Sequence, residues 1–234
     1  MDTVDELLDY IFEGKKPALY PEFERWTRGS RRFRAFATTF RSKIRTKLKS
    51  ARDEGSPEDL RAELQAAAVL LREERFTLEY EKYAASKQRG PDFTVLFKGH
   101  TPFNVEVRRI RRVELDDADS RARAGKLMGV LCDKVRQMPP SIVNLLWLTS
   151  EREMTSADLN DAVTTLRQLA EHKEEVYFTR RGYLSAADFV KRYRRLSGIV
   201  LRQPGEDALW LNSLARHPVP PQIVLAIKRL PLSV

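Results

Sequence analysis

Within the stretch GPDFTVLFKGHTPFNVEVRR, Gly90 to Arg109, stand three side chains suited to chemistry: Asp92, Glu106 and Arg108. Two carboxylates and a guanidinium on one surface could hold a divalent ion and a phosphate. The alternation of Phe93, Val95 and Phe97, then of Val105 and Val107, predicts two strands joined by a turn. With the turn centred on His100, Asp92 lies opposite Arg108, and Thr94 opposite Glu106. Side chains alternate faces along a strand. The five apolar residues therefore share one face, and Asp92, Thr94, Glu106 and Arg108 share the other. Diagonal neighbours across a sheet are about 7–8 Å apart, so the two carboxylates could hold one ion between them. Oxygen donors of this kind suit Mg²⁺ or Mn²⁺, which commonly also keep waters and a substrate phosphate. A plainer reading stays open. Asp92 after Gly90-Pro91 suits a turn, and Glu106 could form an ion pair with Arg108 or Arg109.

A third carboxylate could come from the helix that precedes these strands. Ser56, Pro57 and Asp59 make a helix start, and the helix is expected to run to about Arg72. Leu60, Leu64, Ala67 and Leu71 form its buried stripe, and Glu63 lies beside it. Glu63 therefore stands either at the rim of the core or in a site. Glu79 and Glu81, on the strand expected in RFTLEYEKY, are rivals and are expected to face solvent.

Glu63, Pro91-Asp92 and Glu106-Val107-Arg108 follow one another in an order that resembles the PD-(D/E)XK nuclease superfamily, the restriction-endonuclease-like fold. The elements expected from Ser56 to Thr149, α-β-β-β-α-β, resemble its core. The resemblance implies an α/β fold with a mixed central sheet. It also implies metal-dependent hydrolysis of DNA phosphodiester bonds, with RNA the alternative substrate. Asp92 and Glu106 would hold Mg²⁺ or Mn²⁺ with the Val107 carbonyl, Glu63 would complete the site, and Arg108 would clamp the phosphate. The chain departs from the family at Arg108, where the family keeps lysine. Arginine stays charged and cannot serve as a base, though it forks well onto phosphate oxygens. A nuclease-like module that binds nucleic acid without cutting it is the alternative. Relatives of this fold often cut duplexes as dimers, so a homodimer is possible.

The rest of the chain supplies charge. Arg25 to Arg52 holds eleven Arg and Lys residues and no acid; without them the net charge of +9 becomes −2. Such clustering marks a contact with a polyanion. One long helix is expected from Ser30 to about Ala51, with Phe33, Phe36, Ala37, Phe40, Ile44 and Leu48 on its apolar side. Its other face would present Arg31, Arg34, Arg41, Lys43, Arg45, Lys47 and Lys49 to nucleic acid. A membrane surface fits less well, because the apolar side is suited to packing.

The expected organisation is a helical extension over residues 1–55, then a nuclease-like domain over 56–234 with extra C-terminal helices. Before the basic helix, a short helix from Asp2 to Phe12 is followed by a loop with Pro17 and Pro21. After Arg109, DDADSRARAGKLMGVLCDKVRQM reads as a helix and SIVNLLWLTS as a strand buried on both faces. A helix capped by Ser156 follows, then a shorter helix and the strand GIVLRQ. No apolar run reaches the roughly 18 residues of a membrane span, and the acidic N-terminus lacks the marks of a signal peptide. The single cysteine, Cys132, excludes an intrachain disulfide and fits a cytoplasmic setting. His100, His172 and His217 are scattered and suggest no metal triad.

Overall fold

The computed structural model describes residues 3–50, 56–83, 90–111, 120–150, 154–203 and 206–231. Among these, one six-stranded mixed sheet has its strands in chain order: β1 (Phe76–Tyr80), β2 (Phe93–Phe97), β3 (Thr101–Ile110), β4 (Val143–Ser150), β5 (Gly198–Gln203) and β6 (Glu206–Leu211). β2 runs antiparallel to both β1 and β3, β3, β4 and β5 are parallel, and β6 returns antiparallel. Parallel neighbours need a crossover connection. α6 (Ser120–Val135) lies between β3 and β4 in the chain; α7 (Ser156–Glu171), α8 (Glu175–Thr179) and α9 (Ala186–Tyr193) lie between β4 and β5.

Helices cover both faces of the sheet. On one side lie α1 (Val4–Phe12), α2 (Tyr20–Gly29), α3 (Arg31–Thr39), α4 (Arg41–Ser50), α5 (Ser56–Leu70) and the last helix, α10 (Pro221–Lys228). Their apolar residues share a core with Phe93, Val95, Val105 and Val107 of the hairpin and with Trp147 of β4. On the other side α6, α7 and α9 pack on Ile110, Leu146, Leu148, Ile199 and Leu201. The strand β4 is accordingly buried on both faces. No helix among the described residues is long and apolar enough to cross a membrane.

α5 explains how Glu63 comes inward. From Ala66 to Leu70 every residue is buried, because the helix is caught between the sheet and the N-terminal helices. Phe36 and Phe40 both reach the ring of Tyr80, and Phe36 also meets Phe93.

Four expectations change. The basic segment is two helices rather than one: Phe40 leaves helical geometry at φ −105°, ψ 16°. The loop expected around Pro21 is helix α2, whose first turn tolerates proline because the missing N–H has no partner there. The cap of α7 is Thr155, not Ser156, in a reciprocal capping box with Asp158. The hairpin register also differs. Lys98 and Gly99 both take positive φ, 52° and 76°, as a tight turn with the strand twist requires. Phe97 then pairs with Thr101 and Thr94 with Asn104, so the hairpin centres on Gly99. The partner of each residue moves by two positions, and an even shift keeps every side chain on its expected face.

Candidate active site

The corrected register places Asp92 level with Glu106, not with Arg108. Phe93 pairs with Val105, and one step beyond that pair the Asp92 carboxylate replaces the strand partner. Its Oδ2 accepts the Val107 N–H at 2.7 Å, while the Asp92 carbonyl accepts Glu81 N–H at 2.7 Å. The aspartate thus closes the end of β2 against both neighbouring strands. Such a carboxylate satisfies a backbone donor and still offers an oxygen.

Glu106 is buried and on the α6 side of the sheet, paired at its backbone with Leu146 of β4. Its Oε1 accepts a hydrogen bond from Lys134 Nζ, from the last turn of α6. Lys134 is absent from the candidates that motif and spacing single out. Its signal lies in the helix period: it follows Leu131, Val130 and Leu127 by three, four and seven residues, all of them buried, so helical spacing turns it toward the sheet.

Glu63 lies on the opposite side of the sheet end. It accepts from Lys47 Nζ at 2.6 Å and from the Tyr80 hydroxyl. Lys47 also binds Glu81 Oε1 at 2.7 Å and sits 4.8 Å from the Tyr80 ring centre. Glu81 is therefore no solvated residue: Lys47 and Lys43 both hold it. Glu79 pairs instead with Lys82 near solvent.

The carboxylates sense one another. Burial pushes the Asp92 carboxyl well above the ordinary range, and the charges of Glu106 and Glu63 push the same way against the Val107 N–H and Lys47. Burial also raises Glu106, aided by Glu63, although Lys134 opposes it. Burial disfavours the Lys47 ammonium, but Glu63 and Glu81 outweigh this and raise its pKa. A cation held among these acids would relieve a repulsion that the two ammonium groups relieve only partly.

Among the described residues, no group of three or more His, Cys, Asp or Glu side chains is gathered closely enough to hold a metal ion as it stands. The donor chemistry nonetheless suits a hard cation: the carboxylates of Glu106 and Glu63 both act electrostatically on that of Asp92.

Arg108 lies two residues beyond Glu106 on the same face and borders a cleft against α6. Arg109, on the other face, donates to Asp59 of α5 at 3.1 Å. The ion pair expected between Glu106 and one of these arginines is replaced by the pair with Lys134.

The basic residues of α3 and α4 are largely engaged within the molecule. Arg34 Nε donates to the Thr27 carbonyl. Arg41 and Arg45 lie 4.9 Å from the centre of the Tyr10 ring. Arg45 and Lys49 both meet Glu13. Lys43 donates to the Tyr80 carbonyl at 2.9 Å, and Lys47 holds Glu63. Arg31 is exposed at the start of α3. The acids that the segment itself lacks come from α5, the residue that ends α1 and the end of β1. Arg52 lies outside the described residues, as does Arg112, which ends the basic run RRIRR.

Comparison with known proteins gives no match: no family model, no curated protein and no solved structure is significantly similar to this chain.

Proposed function

We propose that the protein is a metal-dependent phosphodiesterase of the restriction-endonuclease-like fold, acting on DNA. The observation that carries the reading is the pair Asp92 and Glu106. They stand level on neighbouring stretches of the hairpin, on one face, with raised carboxyl pKa values and an ammonium from α6 against the glutamate. The order α5-β1-β2-β3-α6-β4 supports the fold assignment, since it is the order the resemblance implies.

In this reading Asp92 and Glu106 hold Mg²⁺ or Mn²⁺ together with the Val107 carbonyl, and Glu63 completes the site. A metal bound there would lower the pKa of a water molecule and polarise the phosphoryl group. Lys134 places an ammonium directly against the motif glutamate, where it stabilises charge that develops on the phosphate. Arg108 holds a phosphate oxygen from the same face. Arg31, exposed at the start of α3, and the α4 cations Arg41, Arg45 and Lys49 carry the strand backbone, the last two in competition with Glu13.

The test is cleavage of plasmid and single-stranded DNA in Mg²⁺, Mn²⁺ and EDTA, with Asp92→Ala alongside. Cutting that needs metal and disappears in the variant is the expected outcome. Cutting that persists in Asp92→Ala would remove the site. The second reading, a module that binds nucleic acid without cutting, is favoured by the ammonium already on Glu63 and on Glu106. It predicts a salt-sensitive gel shift that is the same in all three conditions.

A further inference from the structure

Beside the candidate carboxylates, the end of α6 and strand β3 enclose a cleft of about 320 Å³, lined by Arg108, Val130, Asp133, Lys134, Arg136 and Gln137. We propose that this cleft binds a second phosphate of the nucleic-acid strand, next to the one placed at Glu106. The proposal rests on the polynucleotide reading above and names where the strand continues.

The cleft adjoins the carboxylates through shared residues. Lys134 lines it and also holds Glu106. Arg108, which holds the first phosphate, borders the cleft two residues from Glu106 along β3, or about 6–7 Å, and Arg136 lies beyond it to take the second. Arg108, Lys134 and Arg136 line the cleft beside one carboxylate, Asp133, with Lys134 also held by Glu106, and Gln137 adds an uncharged donor. The size is at the lower end of small-molecule sites, suited to one nucleotide unit.

Arg136 is the residue built for this role. Its Nη1 donates to the Arg181 carbonyl at 2.8 Å, which fixes the guanidinium without neutralising it. Gly182 makes the approach possible: it takes φ +76°, and a Cβ there would collide with Arg136 Nη1. A guanidinium has five N–H donors, so most of them stay available to a ligand. Two features oppose an anion, Asp133 and the C-terminal carbonyls of α6. Lysine and arginine at a helix end also offset those carbonyls on ordinary surfaces. That role, however, requires neither Arg108 from the sheet nor a glycine that admits Arg136 to the turn at Arg181.

The test is titration of the full-length protein with thymidine 5′-monophosphate in EDTA, followed by amide chemical shifts. Shifts are expected across Val130–Gln137 and near Arg181. Arg136→Gln should weaken binding about tenfold, the loss of one charge-assisted hydrogen bond, whereas Lys228→Gln on α10 should leave it unchanged. Equal affinity in Arg136→Gln, or shifts confined to α3 and α4, would overturn the proposal. Because the measurement is made without metal and reads binding, it separates the two ideas. A protein that binds here but never cuts DNA loses the nuclease reading and keeps the cleft. One that cuts DNA while indifferent to Arg136 does the reverse.

Discussion

Lys134 of α6 meets Glu106 of β3 across the helix–sheet interface, although 28 positions separate them along the chain. In the proposed reading this contact supplies a lysine at the motif glutamate, where Arg108 stands at the position of the family's own lysine. If Lys134 serves the reaction, Lys134→Met should lower kcat by about 10²–10³, the usual range for losing one group that stabilises developing charge. Arg108→Gln should act mainly on KM. Steady-state kinetics on a labelled duplex in Mg²⁺ separate the two. Full activity in Lys134→Met would return it to a structural role.

Asp92 predicts an unusual dependence of stability on pH. Its folded pKa is raised well above the ordinary 3.8. The folded state therefore keeps a proton that the unfolded state loses, and this contribution is full below about pH 4 and lost as pH rises through the folded pKa. Without metal, the melting temperature of the wild type should fall relative to Asp92→Asn between about pH 4 and neutrality. The asparagine oxygen still accepts the Val107 N–H, so the variant isolates the charge. Each kcal/mol corresponds to about 2–4 °C in a chain of this size. Addition of Mg²⁺ at neutral pH should raise the wild type and leave Asp92→Asn unmoved. Parallel pH curves for the two proteins would contradict the assignment.

Asp158 behaves in the opposite sense. Burial would raise its pKa, but Thr155, Arg123 and Ser120 outweigh burial and lower it. Its stabilisation is thus present at neutral pH and lost as pH falls through the depressed value. Asp158→Ala removes the capping box of α7 and takes from Arg123 its 3.1 Å partner. Chemical denaturation near neutral pH should show destabilisation of about 2 kcal/mol, the upper end for a helix cap, shrinking in acid. An effect that does not change with pH would show that packing rather than charge matters there.

Glu13 holds two cations of α4, Arg45 and Lys49, which in the proposed reading also meet the bound strand. Neutralising Arg41, Arg45 and Lys49 should weaken binding to DNA and flatten its salt dependence, by about 0.9 in logarithmic slope for each phosphate no longer neutralised. Glu13→Gln should strengthen binding, because it releases Arg45 and Lys49. Fluorescence anisotropy between about 50 and 200 mM salt would reveal both, since affinity falls roughly 10³–10⁵ over that range when about 6–10 phosphates are neutralised. An unchanged slope in the triple variant would take α4 out of the interface.

The features legible along the chain were mostly periodic. Alternation in Phe93–Phe97 and Val105–Val107 established which side chains share a face, and that survived a changed register because the change was even. The stripe Leu60, Leu64, Ala67 and Leu71 established α5 and put Glu63 at its edge. The apolar run of β4 announced a strand covered on both sides. These features follow from local geometry, which repeats along the chain.

Which charge meets which was settled by packing. Glu106 finds Lys134 through a crossover helix, and Glu63 finds Lys47 through packing of the N-terminal helices on α5. The basic segment looked unopposed because its acids, Glu13, Glu63 and Glu81, lie elsewhere in the chain. A buried charge takes the partner that comes within about 3 Å of it, since the energy of the pair falls with distance and rises as water is excluded. Distance in space is set by how helices and strands pack, and no spacing along the sequence contains it.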